Sequence, residues 1–203
     1  MLPARRTPVQ VYDPVLRVLH GVNALLIVLL ALSGLVAQSI PVGALSGWLH
    51  ATHGVLGLSL VAGLLARLVW GFAGPQSARW QDMWHPAAWR AALLARRVFV
   101  SPHRRGHHPH ASLVYLLVYA LLAGLAASGL ALLASTQGQG PLSPWLGFDA
   151  WLTTQLIDPH RIAGWLLTGF IGIHLAALWL HARVHRIPVA QGMINGMQYL
   201  ETK

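Results

Sequence analysis

The chain has no cysteine and few charged residues, and each deficit excludes a class of protein. Without cysteine it can form no disulfide, no thiolate haem ligand, no Cys-ligated iron–sulfur cluster and no covalently attached haem. Charged residues make up 9% of its 203 residues and apolar residues 55%, whereas a soluble domain carries about 25% charged residues. We therefore predict an integral membrane protein in which any metal is bound by nitrogen or oxygen.

Four apolar stretches are long enough to cross a bilayer as helices, a crossing that takes about 20 residues. They cover residues 15–37, 52–72, 112–134 and 162–182. The prediction is an all-α fold, an integral membrane four-helix bundle that forms a single domain over residues 1–203 without an internal repeat. A long loop lies at 74–110, between the second and third stretches. Its segment 80–100 is equally consistent with an amphipathic helix on the membrane surface and with a solvated basic loop.

The distribution of basic residues predicts the side of the membrane on which each loop lies. The net charge of +9 would suggest a nucleic-acid partner in a soluble protein, but here the basic residues cluster in alternate segments and no nucleic-acid partner is expected. Most of them are Arg5, Arg6, Arg17, Arg79, Arg90, Arg96, Arg97, Arg104, Arg105, Arg183, Arg186 and Lys203. The loops at 38–48 and 135–158 contain neither arginine nor lysine. The positive-inside rule therefore places both termini and the long loop in the cytoplasm.

Four histidines lie within or at the ends of the apolar stretches, where an ionisable side chain is costly and by default suggests a function. His160 and His174 are 14 residues apart, a spacing that returns to nearly the same face of a helix about 21 Å further along its axis. His53 lies near the outer end of the second stretch, and His20 near the cytoplasmic end of the first. Matched by depth, they form two pairs, His53 with His160 and His20 with His174.

Each pair is suited to hold one haem iron between two imidazoles, because cofactor sites form between facing helices of a bundle. We therefore predict two b-type haems, one at the outer level and one at the cytoplasmic level. An iron with both axial positions filled favours electron transfer over ligand chemistry. For any single histidine, a structural hydrogen bond to a neighbouring helix is an equal alternative. A zinc site is disfavoured because neither level offers an evident third ligand.

Nearby residues suggest how the haems would be packed. Gly34 and Gly57 would leave space for the outer porphyrin, although ordinary helix contacts also use glycine. Arg17, Arg67 and Arg161 lie near the expected haem edges and are candidates to pair with propionates. Snorkelling anchors at the membrane boundary would occupy the same positions. Both interpretations are open for all five residues.

Further motifs are spread along nearly the whole chain: Val11-Tyr12-Asp13-Pro14-Val15-Leu16-Arg17-Val18-Leu19-His20, Arg67-Leu68-Val69-Trp70-Gly71-Phe72-Ala73-Gly74-Pro75, Gly106-His107-His108-Pro109 and Met193-Ile194-Asn195-Gly196. Together with the histidines, these motifs resemble the bacterial cytochrome b561 and nickel-hydrogenase b-type cytochrome subunits. The resemblance implies a bacterial inner-membrane protein with two b haems, one periplasmic and one cytoplasmic, in the pairing given above.

The resemblance also implies a function, which is electron transfer between a periplasmic redox partner and membrane quinone or quinol. The partner would be a c-type cytochrome, a hydrogenase or a similar protein. The family's quinone site maps to the neighbourhood of Arg17, His107 and His108. Such a chain would be a lipid-embedded electron-transfer subunit of an oxidoreductase complex, in a homo- or hetero-oligomer, rather than an enzyme on its own.

Two other functions are open on the sequence. Some members of the family that this sequence resembles oxidise superoxide and reduce quinone without a partner protein. A superoxide site would benefit from basic residues on the outer side of the membrane. Apart from histidines, Arg161 is the one basic residue predicted there. The second of these functions is a haem-free transporter or membrane anchor. A path for cations would need carboxylates, and the apolar stretches contain almost none.

Overall fold

The computed structural model describes residues 6–87, 89–90, 109–184 and 190–201. Its long helices are α1 (Pro14–Ser39), α2 (Ala44–Ala73), α3 (Pro109–Gln137) and α4 (Ala150–Val184). The shorter elements are strands β1 (Arg6–Gln10) and β2 (Met197–Glu201), the 3-10 helices Gln76–Ala78 and Trp80–Met83, and the short helices Ser143–Leu146 and Gln191–Asn195. All four long helices are apolar enough to cross a membrane. The predicted all-α membrane fold is confirmed.

Each long helix extends beyond the apolar stretch that predicted it. The largest extensions are at the starts of α2 and α4, which begin at Ala44 and Ala150. Polar residues and Pro159 lower the hydropathy of these starts without stopping the helices. Asp149 also caps α4, since its Oδ1 accepts a hydrogen bond from the Leu152 N–H at 2.9 Å. Hydropathy therefore located the membrane-crossing part of each helix and not its ends.

Large apolar side chains are exposed along the helices. In α1, Leu25, Leu29, Leu32 and Val36 recur every three or four residues and are all exposed. Residues at this spacing lie on one face of a helix. Exposure of such a face to water would be unfavourable, so this pattern fits a helix whose outer face contacts lipid.

The chain divides into two compact units, and each long helix contributes to both. The central unit comprises Val22–Leu65 and Tyr119–Gly172. The terminal unit comprises Met1–Gly21, Ala66–Val118 and Ile173–Lys203. The first predicted histidine pair, His53 and His160, belongs to the central unit. The second pair, His20 and His174, belongs to the terminal unit.

In the terminal unit, the segment before α1 is fastened to the segment after α4. Strands β1 and β2 pair in antiparallel fashion, with Arg6 opposite Glu201. Gly196 ends the short helix before β2 with a φ of 83°, a left-handed conformation that favours glycine. Its carbonyl accepts hydrogen bonds from the N–H groups of Val11 and Tyr12 at 2.9 and 3.2 Å. Both ends of the chain therefore share one small piece of structure.

Asp13 fixes the start of α1 in the same unit. Its Oδ1 accepts hydrogen bonds from the Leu16 N–H at 3.0 Å and from the indole Nε1 of Trp70 at 3.1 Å. Pro14 occupies the first helical position, where its missing N–H costs nothing. One carboxylate thus caps α1 and connects it to the end of α2.

Candidate functional site

His53 on α2 and His160 on α4 lie opposite each other in the central unit. Their ring centroids are 6.4 Å apart and their ring planes make an angle of 81°. An imidazole nitrogen binds a transition metal at about 2.0–2.1 Å and lies about 1.2 Å from its ring centroid, so two rings on opposite sides of one metal have centroids about 6.4–6.6 Å apart. The observed separation fits a metal ion held between the two rings.

Each of these rings is hydrogen-bonded at Nδ1 to a serine of another helix. Ser33 Oγ, in α1, lies 2.9 Å from His53 Nδ1, and Ser128 Oγ, in α3, lies 2.8 Å from His160 Nδ1. With Nδ1 engaged, Nε2 is the nitrogen left to bind a metal on each ring. Metal-binding histidines are commonly oriented by such a second residue.

All four helices of the central unit line one cavity, onto which both histidines open. Its volume is about 350 Å³, a size found among ligand and cofactor sites. Gly57 and Gly164 each follow one of the histidines by one turn and line the cavity, and a Cβ built on either would meet nothing within 4 Å. These two glycines keep space open beside the rings.

Two other glycines lie directly against the imidazoles. A Cβ at Gly34 would be 3.3 Å from Cε1 of His53, and a Cβ at Gly129 would be 3.2 Å from Cε1 of His160. Both distances are shorter than ordinary van der Waals contact, so a side chain at either position would push the ring. Gly34 was predicted to make room for a porphyrin; its nearest neighbour in the structure is the ring of His53.

The second predicted pair also comes together, in the terminal unit. The side chains of His20 on α1 and His174 on α4 are close enough to interact electrostatically. His20 is exposed and His174 is half-buried. Each unit therefore contains one of the two histidine pairs expected from depth.

Two arginines in the terminal unit have buried guanidinium atoms. Arg67 is 5% exposed, and its guanidinium carbon lies 4.6 Å from the ring centroid of Trp80, a cation–π contact. Arg17 is half-buried, and its Nε has no hydrogen-bond partner in the part of the chain that the structure describes. These guanidinium atoms bring positive charge into the interior of the unit, which would favour carboxylates such as haem propionates there.

The third predicted propionate partner is differently placed. Arg161 lines the cavity of the central unit and is exposed. Its Nη2 donates a hydrogen bond to Asp158 Oδ1 at 2.7 Å, in an ion pair between residues three apart. An anion at this edge of the cavity would share Arg161 with Asp158.

Part of the predicted cytoplasmic site is not described. His107 and His108, predicted to contact quinone, lie outside the described residues. The segment 80–100, for which a surface helix and a solvated loop are both open on the sequence, begins as the 3-10 helix Trp80–Met83, and its second half also lies outside the described residues. The described part folds back onto α2, because Trp80 Nε1 donates a hydrogen bond to the carbonyl of Leu68 at 3.1 Å.

Tyr12, just before α1, is a further polar group of the terminal unit. Its ring packs beside Gly192, where a Cβ would be 3.2 Å from Tyr12 Cε2. Burial, together with the nearby Tyr115 and Asp82, raises the pKa of Tyr12 to about 12. The phenol therefore stays protonated and neutral at physiological pH.

Comparison with known proteins assigns this constellation to a family. Residues 11–196 match the family described as prokaryotic cytochrome b561. The chain belongs to this family. The matched segment contains all four histidines and both serines. Together with the four spanning helices, membership makes the protein a component of the bacterial inner membrane.

Relatives of this cytochrome b561 are similar to it over most of their length. A "Probable Ni/Fe-hydrogenase B-type cytochrome subunit" of Azotobacter chroococcum mcd 1 is 28% identical over 217 residues, covering 95% of this chain and 89% of the relative. Proteins with the same description in Bradyrhizobium diazoefficiens and Cupriavidus necator are 27% and 28% identical, covering 94% and 92% of this chain and 86% and 85% of the relatives. No solved structure matches the chain.

A b-type cytochrome carries haem b, and the residues of this cytochrome b561 fit that group. The spacing of His53 and His160 suits one metal between two imidazoles, and the cavity beside them is lined mainly by apolar side chains. In the terminal unit, Arg17 and Arg67 offer buried positive charge. Among the described residues, no group of three or more histidine, cysteine or acidic side chains forms an alternative metal site.

Sequence reasoning missed four residues of this arrangement: Ser33, Ser128, Gly129 and Trp80. The signal for three of them is a short repeated pattern. The pattern Ala-X-Ser-Gly-Leu, in which X is any residue, occurs at 31–35 in α1 and again at 126–130 in α3. Nothing in the local sequence signals the contact of Trp80 with Arg67, which depends on how the following loop folds.

Proposed function

We propose that this cytochrome b561 passes electrons across the bacterial inner membrane through two b haems, each held between two histidines. The observation that carries the proposal is the 6.4 Å separation of the His53 and His160 ring centroids. Bound haem b supplies an iron that gains and loses one electron. The chain itself provides imidazoles, an apolar cavity and counter-charges. We further propose that residues 1–203 function as one domain.

In this proposal, His53 and His160 are the axial ligands of a periplasmic haem, and His20 and His174 those of a cytoplasmic haem. The orientation follows from the positive-inside rule. The hydrogen bonds from Ser33 and Ser128 support the first assignment, because they leave Nε2 of each ring for the iron. The second assignment is supported by the proximity of the two imidazoles in the terminal unit.

The residues around each proposed haem are assigned from their contacts, their burial and their place along the cavity. Gly57 leaves space along the cavity for the periplasmic porphyrin, and Gly34 allows the His53 ring its position. Arg161 lies at the cavity edge and would contact a propionate there. Arg17 and Arg67 would compensate the propionates of the cytoplasmic haem, since both place guanidinium atoms out of reach of water.

The partners follow from the relatives. Those proteins are described as probable Ni/Fe-hydrogenase subunits, and we propose that this chain likewise joins a periplasmic redox protein, a hydrogenase or a c-type cytochrome, in a hetero-oligomer. Quinone or quinol would exchange electrons at the cytoplasmic end, near Arg17, His107 and His108. Superoxide as a substrate is disfavoured because Arg161, the predicted outward basic residue, is shared with Asp158 and is assigned here to a propionate.

The test is haem quantitation combined with a reduced-minus-oxidised spectrum of the purified chain. We expect b-type absorbance bands and about two haems per chain. His53→Ala and His160→Ala should each lower the content to about one haem, and the double variant should lower it no further, because both residues serve one site. A colourless preparation, or a double variant that keeps both haems, would overturn the proposal.

A further inference from the structure

The contacts of Ser33 indicate which nitrogen of His53 carries a proton. Ser33 Oγ lies 3.2 Å from the carbonyl oxygen of Leu30 and 2.9 Å from His53 Nδ1. A carbonyl oxygen can only accept, so the single hydroxyl proton of the serine is donated to Leu30. The serine oxygen is then the acceptor, and His53 Nδ1–H is the donor. This tautomer leaves the lone pair of His53 on Nε2.

Ser128 repeats this arrangement for His160. Its Oγ lies 2.7 Å from the carbonyl oxygen of Gly124, 3.3 Å from that of Leu125 and 2.8 Å from His160 Nδ1. The hydroxyl proton is again donated to the backbone of the serine's own helix, so Nδ1–H of His160 is the donor. Two histidines on two different helices are therefore held in the same tautomer by the same chemistry.

Glycine completes each arrangement. Gly34 follows Ser33 and Gly129 follows Ser128, and each leaves just enough room for Cε1 of the ring that the serine binds. A serine can bond a ring only if the ring approaches the helix closely, and a Cβ at the next position would force the ring to move away from its place. The Ser-Gly pair thus works as one unit: the hydroxyl orients the ring and the glycine admits it.

We propose that Ser33-Gly34 and Ser128-Gly129 are matched positioning elements that orient His53 and His160 toward one iron and adjust its redox potential. The inference rests on the proposed function, since it assumes that these histidines bind haem. It also gives α3 a role in haem binding, although α3 contributes no axial ligand to the proposed sites.

The expected effect on potential follows from ligand basicity. A hydrogen bond from Nδ1–H makes the imidazole a stronger electron donor through Nε2, which favours ferric over ferrous iron. A neutral hydroxyl acceptor polarises the ring less than a carboxylate would. Loss of the hydroxyl should therefore raise the midpoint potential of the haem between His53 and His160, and leave that of the other haem unchanged.

The experiment compares Ser33→Ala, Ser128→Ala and the double variant in the full-length, haem-loaded protein. Ser59→Ala is the matched control, because Ser59 Oγ donates to the Val55 carbonyl at 2.9 Å in the same manner, and no histidine of the described residues is hydrogen-bonded to it. Ser33→Thr and Ser128→Thr restore a hydroxyl. The readouts are the potential of each haem by redox titration, the ferric EPR spectrum, which depends on the angle between the imidazole planes, and the rate at which haem is lost to an acceptor protein.

We expect each alanine variant to raise one potential, to alter one EPR signal and to weaken haem retention by about tenfold, a typical effect of removing a residue that orients a metal ligand. The threonine variants should recover most of each change. If the wild-type protein binds two haems but the serine variants behave like Ser59→Ala, the positioning role is wrong. The proposed function would still stand. If alanine variants lose haem and the threonine variants do too, packing rather than the hydroxyl is responsible and the inference fails. A wild-type protein without haem would overturn both proposals.

Discussion

The central and terminal units each contain a pair of histidines but surround it in different ways. In the central unit, His53 and His160 have equivalent surroundings, each with a serine at Nδ1 and a glycine against the ring. The terminal unit, which contains His20 and His174, also contains buried arginine atoms, a tryptophan that contacts one of these arginines, and both ends of the described chain. The contacts of the first pair come from short uncharged residues of the helices, whereas the second pair shares its unit with buried charges and loop segments.

The same contrast is visible along the sequence when α1–α2 is compared with α3–α4. Ser33, His53 and Gly57 correspond to Ser128, His160 and Gly164. The correspondence then breaks: the residue 13 positions before Ser33 is His20, whereas the residue 13 before Ser128 is Tyr115. Likewise, 14 positions after His53 stands Arg67, and 14 after His160 stands His174.

This broken correspondence has a physical consequence. Equivalent hydrogen bonds would give the two proposed ligands of the central site similar basicity, so we expect a potential determined mainly by serine hydrogen bonds and an apolar cavity. Charges close to the terminal site are monopoles and act over longer distances than hydroxyl dipoles. The two proposed haems should therefore respond to different substitutions.

The largest effect should come from removing a ligand in one unit at a time. His53→Ala should abolish the haem of the central unit and retain the other, while His20→Ala should do the reverse, so that each variant holds about one haem per chain. Redox titration would show which potential disappears. Loss of both haems from either single variant would mean that the two units do not bind cofactor independently.

A smaller effect is expected from closing the space beside a ring. Gly129→Ala places a methyl group 3.2 Å from Cε1 of His160, and such overpacking typically costs about 1–3 kcal/mol. We expect reduced haem content and a shifted potential at the central site. Gly124→Ala, in the same helix, adds a methyl group with no atom within 4 Å and should behave as wild type. Equal effects of the two substitutions would contradict a specific role for Gly129.

The terminal site should be sensitive to the charge of Arg67. A nearby cation stabilises an electron added to the haem, so Arg67→Gln should lower the potential of the haem at His20 and His174 and leave the other unaffected. Loss of the contact with Trp80 should also reduce stability by about 0.5–2 kcal/mol. Trp80→Leu separates the two effects, because it removes the aromatic ring and keeps the charge. An unchanged potential in Arg67→Gln would exclude Arg67 as a neighbour of that haem.

The smallest effect concerns Tyr12. Its pKa of about 12 in the folded protein exceeds the ordinary value of 10.0, so between these two pH values the folded state binds more protons than the unfolded state. The free energy of unfolding should therefore fall as pH rises through that window. A pH titration of the tyrosinate absorbance of the wild-type protein, after subtraction of that of Tyr12→Phe, would give the pKa of Tyr12 directly. A difference spectrum that titrates near pH 10 would show that Tyr12 is accessible to water.

The histidines and helices were predictable, while the serines and the arginine–tryptophan contact were not. An ionisable residue stands out in an apolar stretch, and the depths of His53 and His160 in their stretches were therefore sufficient to pair them. Serine and glycine are common in membrane helices, so the contacts of Ser33 and Ser128 with histidine rings become recognisable only in the structure. The contact of Trp80 with Arg67 depends on a loop that returns to α2, and no local periodicity encodes such a return.

The pairing of β1 with β2 places a constraint on how the protein is made. β1 precedes the first membrane helix and is synthesised first, but its partner strand follows the fourth helix. During translation, β1 therefore cannot pair with β2 until all four helices have been synthesised. The hydrogen bonds from Val11 and Tyr12 to Gly196 form at the same late moment. Closure of this small sheet is thus a late event in the synthesis of the chain.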